Sequence, residues 1–83
     1  MQPEKVRLVR QWIIKANRDL LAVSHLMDGN PPLLDAAVYH CQQAAEKALK
    51  GDLTWHDRPF QPTHDLSELV QLSSDVDESL LEL

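Results

Sequence analysis

Apolar residues recur along the first third of the chain at alternating spacings of three and four. The series is Val6, Val9, Ile13, Ala16, Leu20, Val23 and Met27. That spacing keeps one stripe of a helix apolar through about six turns. It predicts a first helix over about residues 3–27, with Pro3 in its first turn. Arg7, Arg10, Lys15 and Arg18 fall off the stripe, while Leu8, Trp12, Ile14, Leu21 and Leu26 widen the apolar surface. Asp28-Gly29-Asn30 should stop the helix, with Gly29 as a left-handed cap. Asn30-Pro31 then reads as an N-cap followed by proline at the first helical position. A second helix follows over about residues 31–53. Its expected packing face is Leu34, Val38, Cys41, Ala45 and Ala48, with Ala37, Ala44 and Leu49 beside it. A short turn between two long helices implies an antiparallel hairpin.

The pattern then breaks. Pro59 and Pro62 each disfavour helix at the residue before them, so residues 54–63 read as a loop. Thr63 is the expected cap of a third helix over about 64–73, with Asp65 and Glu68 complementing its dipole. Leu66, Leu69, Val70 and Leu72 give it an apolar side. Ser73-Ser74 should end it, and a fourth helix should begin over about 75–83, with Leu80, Leu81 and Leu83 inward. The fold class is therefore all-α: one domain over residues 1–83, an antiparallel up-and-down bundle of two long helices and one or two short ones.

Composition agrees with helices. Only two residues are Gly, and Phe, Tyr and Trp together make up 5% of the chain. A length of 83 residues with a single Cys leaves a small core and no internal disulfide. The extra apolar surface on both long helices then predicts a homodimer. Net charge is −5, split between +3 over residues 1–27 and −8 over residues 28–83. That excess of acid argues against broad DNA binding. No apolar run approaches the roughly 18 residues of a spanning helix, so no membrane role is expected. The lone Cys41 fits a reducing cytoplasm.

Candidate chemistry is sparse. His25, His40, His56 and His64 form no pair at i, i+3 or i+4, and no metal or cofactor is expected. Cys41 sits on the expected packing face and should be buried and inert. Gln43, Glu46, Lys47 and Lys50 place polar groups on one side of the second helix, and a solvated face is the simplest account of them. Trp12 and Trp55 are expected to pack rather than stack on bases.

The run from His40 to Lys50, His-Cys-Gln-Gln-Ala-Ala-Glu-Lys-Ala-Leu-Lys, is followed after the proline loop by Thr63-His64-Asp65-Leu66. Together these resemble the HEPN domain (higher eukaryotes and prokaryotes nucleotide-binding). Trp12, Lys15-Ala16 and Asp19-Leu20 are similar to that family's first helix, so the resemblance covers about residues 7–72. It implies an all-α bundle that usually dimerises. It also implies a partner, a minimal nucleotidyltransferase, in a pair of toxin–antitoxin type. Relatives include nucleotide binders, which would place Lys47, Lys50, Arg58 and His64 at a nucleotide. Others are metal-independent RNases with an Arg, four to six intervening residues, and then a His. Arg58 and His64 match that count, His64 as general base on a ribose hydroxyl and Arg58 beside the phosphate. By this resemblance the chain looks shorter than a complete family domain. Three readings stay open: partner of a nucleotidyltransferase with possible nucleotide binding, RNase toxin, or dimerisation module without ligand.

Overall fold

The computed structural model describes residues 2–60, 62, 63 and 65–74. It has three helices: α1 Pro3–Met27, α2 Leu34–Trp55 and α3 Leu66–Ser74. Helices α1 and α2 form the antiparallel hairpin, and α3 packs on α2. The expected fourth helix lies outside the described residues.

The turns differ from expectation. Asn30 does not cap α2 and Pro31 does not open it. The Asn30–Pro31 bond is cis, and α2 begins at Leu34 after Leu33, with no side-chain cap. The reason is local, because Pro32 disfavours a helical backbone at Pro31. Gly29 is not a left-handed cap either: Asp28, the C-cap, is helical and no Gly has positive φ. The turn is closed instead by Asp28 N–H donating to the Ser24 carbonyl and Leu33 N–H to the Leu26 carbonyl, 3.0 Å for the latter. Gly29 is needed for space, since a Cβ there would stand 3.3 Å from the Pro31 carbonyl oxygen.

Helix α2 runs to Trp55 and ends in a Schellman motif. Arg58 N–H donates to the Leu53 carbonyl at 2.9 Å and Asp57 N–H to the Thr54 carbonyl at 3.1 Å. Asp57 takes the left-handed position, with φ 56°. Lys5 of α1 holds its carboxylate at 2.9 Å, which ties the end of α2 to the start of α1. At α3 the cap is Asp65 rather than Thr63. Asp65 Oδ1 accepts from the Ser67 and Glu68 amides, and Thr63 Oγ1 supports it by accepting from the Asp65 amide at 3.0 Å.

The largest correction concerns which faces meet. The stripe of α1 that packs is Lys5, Val9, Trp12, Ala16, Asp19, Val23 and Leu26, all buried or half-buried. It shares Val9, Ala16 and Val23 with the apolar stripe, but Ile13, Leu20 and Met27 stay 44%, 51% and 48% exposed. On α2 the packing stripe is Ala37, His40, Ala44, Lys47, Gly51 and Thr54. The expected face, Leu34, Val38, Cys41, Ala45 and Ala48, is exposed throughout, so Cys41 is not buried. Both helices are turned by about one residue from the position that apolar content alone favours. Two contacts fix that rotation: the charges joining Asp19 to α2, and the close approach of Gly51 to Trp12.

Candidate functional site

Asp19 is a carboxylate in the middle of the α1 packing stripe, with only 8% of its surface exposed. Burying it alone would cost several kcal/mol, so it needs partners. Helix α2 supplies two, one above the other at i and i+7. His40 Nδ1 lies 2.8 Å from Asp19 Oδ1, and Lys47 Nζ lies 2.5 Å from Oδ2. Burial pushes the Asp19 carboxyl up, but the hydrogen bonds from Lys47 and His40 outweigh it and hold the group below its ordinary value. An ionised carboxylate only accepts, so His40 Nδ1 carries the proton that it donates to Asp19 Oδ1. The Tyr39 ring meets the imidazole edge-on at 5.2 Å.

A second buried pair lies beyond this cluster. Glu46 and Lys50 are 2% and 7% exposed, and Lys50 Nζ stands 3.5 Å from Glu46 Oε2. Lys50 Nζ also lies 5.5 Å from the Trp12 ring centre, while Lys15 covers the same ring at 5.4 Å. Trp12 meets Phe60 of the following loop edge-on at 6.4 Å. The polar side of α2 is therefore not a solvated face. Gln43 and Lys47 are half-buried, and Glu46 and Lys50 are buried.

These positions bear on each residue proposed for chemistry. Lys47 answers Asp19, and Lys50 answers Glu46 and Trp12. Arg58 is half-buried directly after the Schellman turn. His64 lies outside the described residues, so its spacing from Arg58 is known in sequence only. Between α2 and the start of α3 runs a cleft of about 500 Å³, lined by Tyr39, Gln42, Gln43, Glu46, Asp65, Leu66 and Ser67. Lys47, Lys50 and Arg58 are not among its lining residues. Its charged groups are the Glu46 and Asp65 carboxylates, which repel a phosphate. Among the described residues, no three His, Cys, Asp or Glu side chains cluster as metal ligands. Among them too, no helix is long and apolar enough to cross a membrane.

The Asp19–His40 contact was not found by sequence reasoning. Spacing along the chain shows pairs within one helix, and this pair joins two helices. The available signal was Asp19 itself, a charged residue standing in register with Trp12, Ala16, Val23 and Leu26.

A helical hairpin with a third helix on its second arm, joined internally by buried ion pairs, defines an all-α module. The family model of the HEPN domain matches residues 9–83, and the chain belongs to that family. No curated protein and no solved structure matches it.

Proposed function

We propose that the chain is a non-catalytic HEPN-type module that acts in the cytoplasm as the partner of a minimal nucleotidyltransferase, in a pair of toxin–antitoxin type. The engagement of Lys47 by Asp19 and of Lys50 by Glu46 counts against a phosphate site on α2, and the Glu46 and Asp65 lining of the cleft beside α3 supports the non-catalytic reading. Two of the four residues that the resemblance places at a phosphate are thereby built into the fold. Withdrawing either would take a charge partner from a buried carboxylate. The nucleotide contact in this reading is assigned, from the family resemblance, to Arg58 and to His64 six positions on in sequence. The carboxylate-lined cleft beside α3 is equally ill suited to a polyanion such as RNA.

The RNase reading keeps one supporting observation. Arg58 is fixed to the end of α2 through its own amide, which gives a catalytic Arg a rigid mount. A cleavage assay separates the two readings. Purified protein incubated with a mixed RNA substrate in EDTA should show no cleavage above buffer, and His64→Ala should match wild type. Cleavage by wild type that disappears in His64→Ala would overturn the non-catalytic reading and establish the RNase. Calorimetric titration with ATP and GTP addresses binding. Heat of binding that is lost in Arg58→Ala supports the nucleotide contact, and no heat with either nucleotide removes it.

A further inference from the structure

Eight Lys and Arg residues stand in the chain, and six of them are engaged. Lys5 meets Asp57, Arg7 meets Glu4, Lys47 meets Asp19 and Lys50 meets Glu46. Lys15 covers the Trp12 ring, and Arg58 too has a partner. Arg10 and Arg18 have none among the described residues. Both are on α1. Ile14 stands midway between them and Leu21 three positions after Arg18, so the four share one side of the helix. Ile14 and Leu21 are 51% and 62% exposed, and no large apolar side chain among the described residues is more open than Leu21. At 3.6 residues per turn this side lies about half a turn from Trp12, Ala16, Asp19 and Val23 of the packing stripe. Helix α3 packs on α2 rather than here. Ile13 and Leu20 belong to a different side, where they line a trough with Cys41, Ala45 and Ala48. We propose that the outer side of α1, with Arg10, Ile14, Arg18 and Leu21, docks an acidic amphipathic helix of another protein.

Charge selects an acidic partner. The carboxylates of α1 are Glu4, which is tied to Arg7, and Asp19, which faces α2. Neither opposes Arg10 or Arg18. Register selects a helix. Arg10 and Arg18 are about 12 Å apart along α1 at 1.5 Å per residue. A helix laid along α1 has the same rise, so carboxylates eight positions apart reach both guanidiniums. Apolar side chains between them then cover Ile14 and Leu21. Apolar contact along the centre with ion pairs at its edges is how an amphipathic helix is held against another.

Other occupants fit less well. A nucleic acid would be held by two guanidiniums against a chain of net charge −5, and its backbone offers nothing to Ile14 and Leu21. An anionic bilayer meets the −8 of residues 28–83, and two apolar side chains are too few to anchor α1 in its interface. The docking face is independent of what the partner does, so its test does not depend on the nucleotidyltransferase reading.

The test is fluorescence anisotropy on the full chain with a labelled synthetic peptide of about 18 residues, Leu at helical spacings of three and four and Glu on both flanks. A control peptide of the same composition scatters the Leu residues around the helix. Wild type should bind the first peptide and not the second. Binding should weaken as salt rises from about 50 mM to about 500 mM. The double variant Arg10→Glu, Arg18→Glu should bind at least about 10-fold more weakly, with unchanged helical circular dichroism. Leu21→Ser should lose a similar factor of about 10. Leu20→Ser, one position away on the trough side, should bind as wild type does. No binding of the amphipathic peptide overturns the proposal, and so does equal binding of the control. A loss in Leu20→Ser as large as that in Leu21→Ser would overturn it by moving the peptide to the trough. So would RNA of about 20 nucleotides, or phosphatidylserine vesicles, that bind wild type more tightly than the peptide does and are lost in the double variant, which would give Arg10 and Arg18 to a phosphate ligand.

Discussion

Asp19→Ala should destabilise the fold by about 2–3 kcal/mol, read as a fall in the urea midpoint with the slope unchanged. The substitution removes a small volume, but it strips the partner from two groups at once. Lys47 loses its 2.5 Å contact and His40 its 2.8 Å contact, in the middle of the α1–α2 seam. The side chains of Lys47 and His40 keep 24% and 33% exposure, so water compensates part of the loss and the effect stays below that of a fully buried pair. Asp19→Asn should fall between wild type and Ala, because one oxygen still accepts while the charge is gone. The same residue sets an acid limb. Its folded carboxyl lies below the unfolded value, so its contribution is complete above about pH 4 and is lost as pH falls through the folded value. In Asp19→Asn that part of the acid dependence should be flattened. A stability curve for Asp19→Asn that overlays wild type from neutral pH down to the acid transition would contradict the assignment.

Gly51→Leu should cost about 3 kcal/mol or more and loosen the hairpin along its whole length. At Gly51 a single added Cβ already stands 3.2 Å from Trp12 Cβ, 3.8 Å from Ile13 Cδ1 and 4.0 Å from the Val9 carbonyl oxygen. The first of these is neither a flexible tip nor easily moved, because Trp12 is held against Lys15, Lys50 and Phe60. Gly51→Ala is the control. It gains about 1 kcal/mol of helix propensity and needs α1 to move by a few tenths of an ångström. Its net effect should be small, within about 1 kcal/mol of wild type. The contrast separates a packing role for Gly51 from a mere dislike of helix. Thermal unfolding should place Gly51→Leu far below both wild type and Gly51→Ala. Equal melting of all three would mean that the helices do not approach closely here.

These two residues also show what the sequence could and could not yield. Element type and order were legible, because heptad spacing and the Pro59/Pro62 breaks are local signals. Rotation of the helices was not. Counting apolar residues points Ile13, Leu20 and Val38 inward, and only a pairing between distant residues turns them outward. Asp19 with Lys47 spans 28 positions, and no local rule reads it. The helix ends failed for narrower reasons. Pro32 shifted the start of α2 to Leu34, and Asp57 rather than a Gly took the left-handed position at its end. The candidate site suffered most from the same blindness. Lys47 and Lys50 look like free cations in a row of polar residues until α1 brings Asp19 and Trp12 against them. The family resemblance, by contrast, was legible from residues alone, since it rests on adjacent motifs rather than on their partners in space.

On the proposed function, this HEPN chain joins a minimal nucleotidyltransferase rather than cutting RNA itself. Size-exclusion chromatography with light scattering on this chain co-expressed with a tagged minimal nucleotidyltransferase from the same genome tests it most directly. The account predicts one species of fixed stoichiometry that persists at 0.5 M salt, a level at which the Debye length falls to about 4 Å and charge alone holds little together. Separate elution of the two proteins at every concentration, with His64-dependent RNA cleavage by this chain alone, would contradict it.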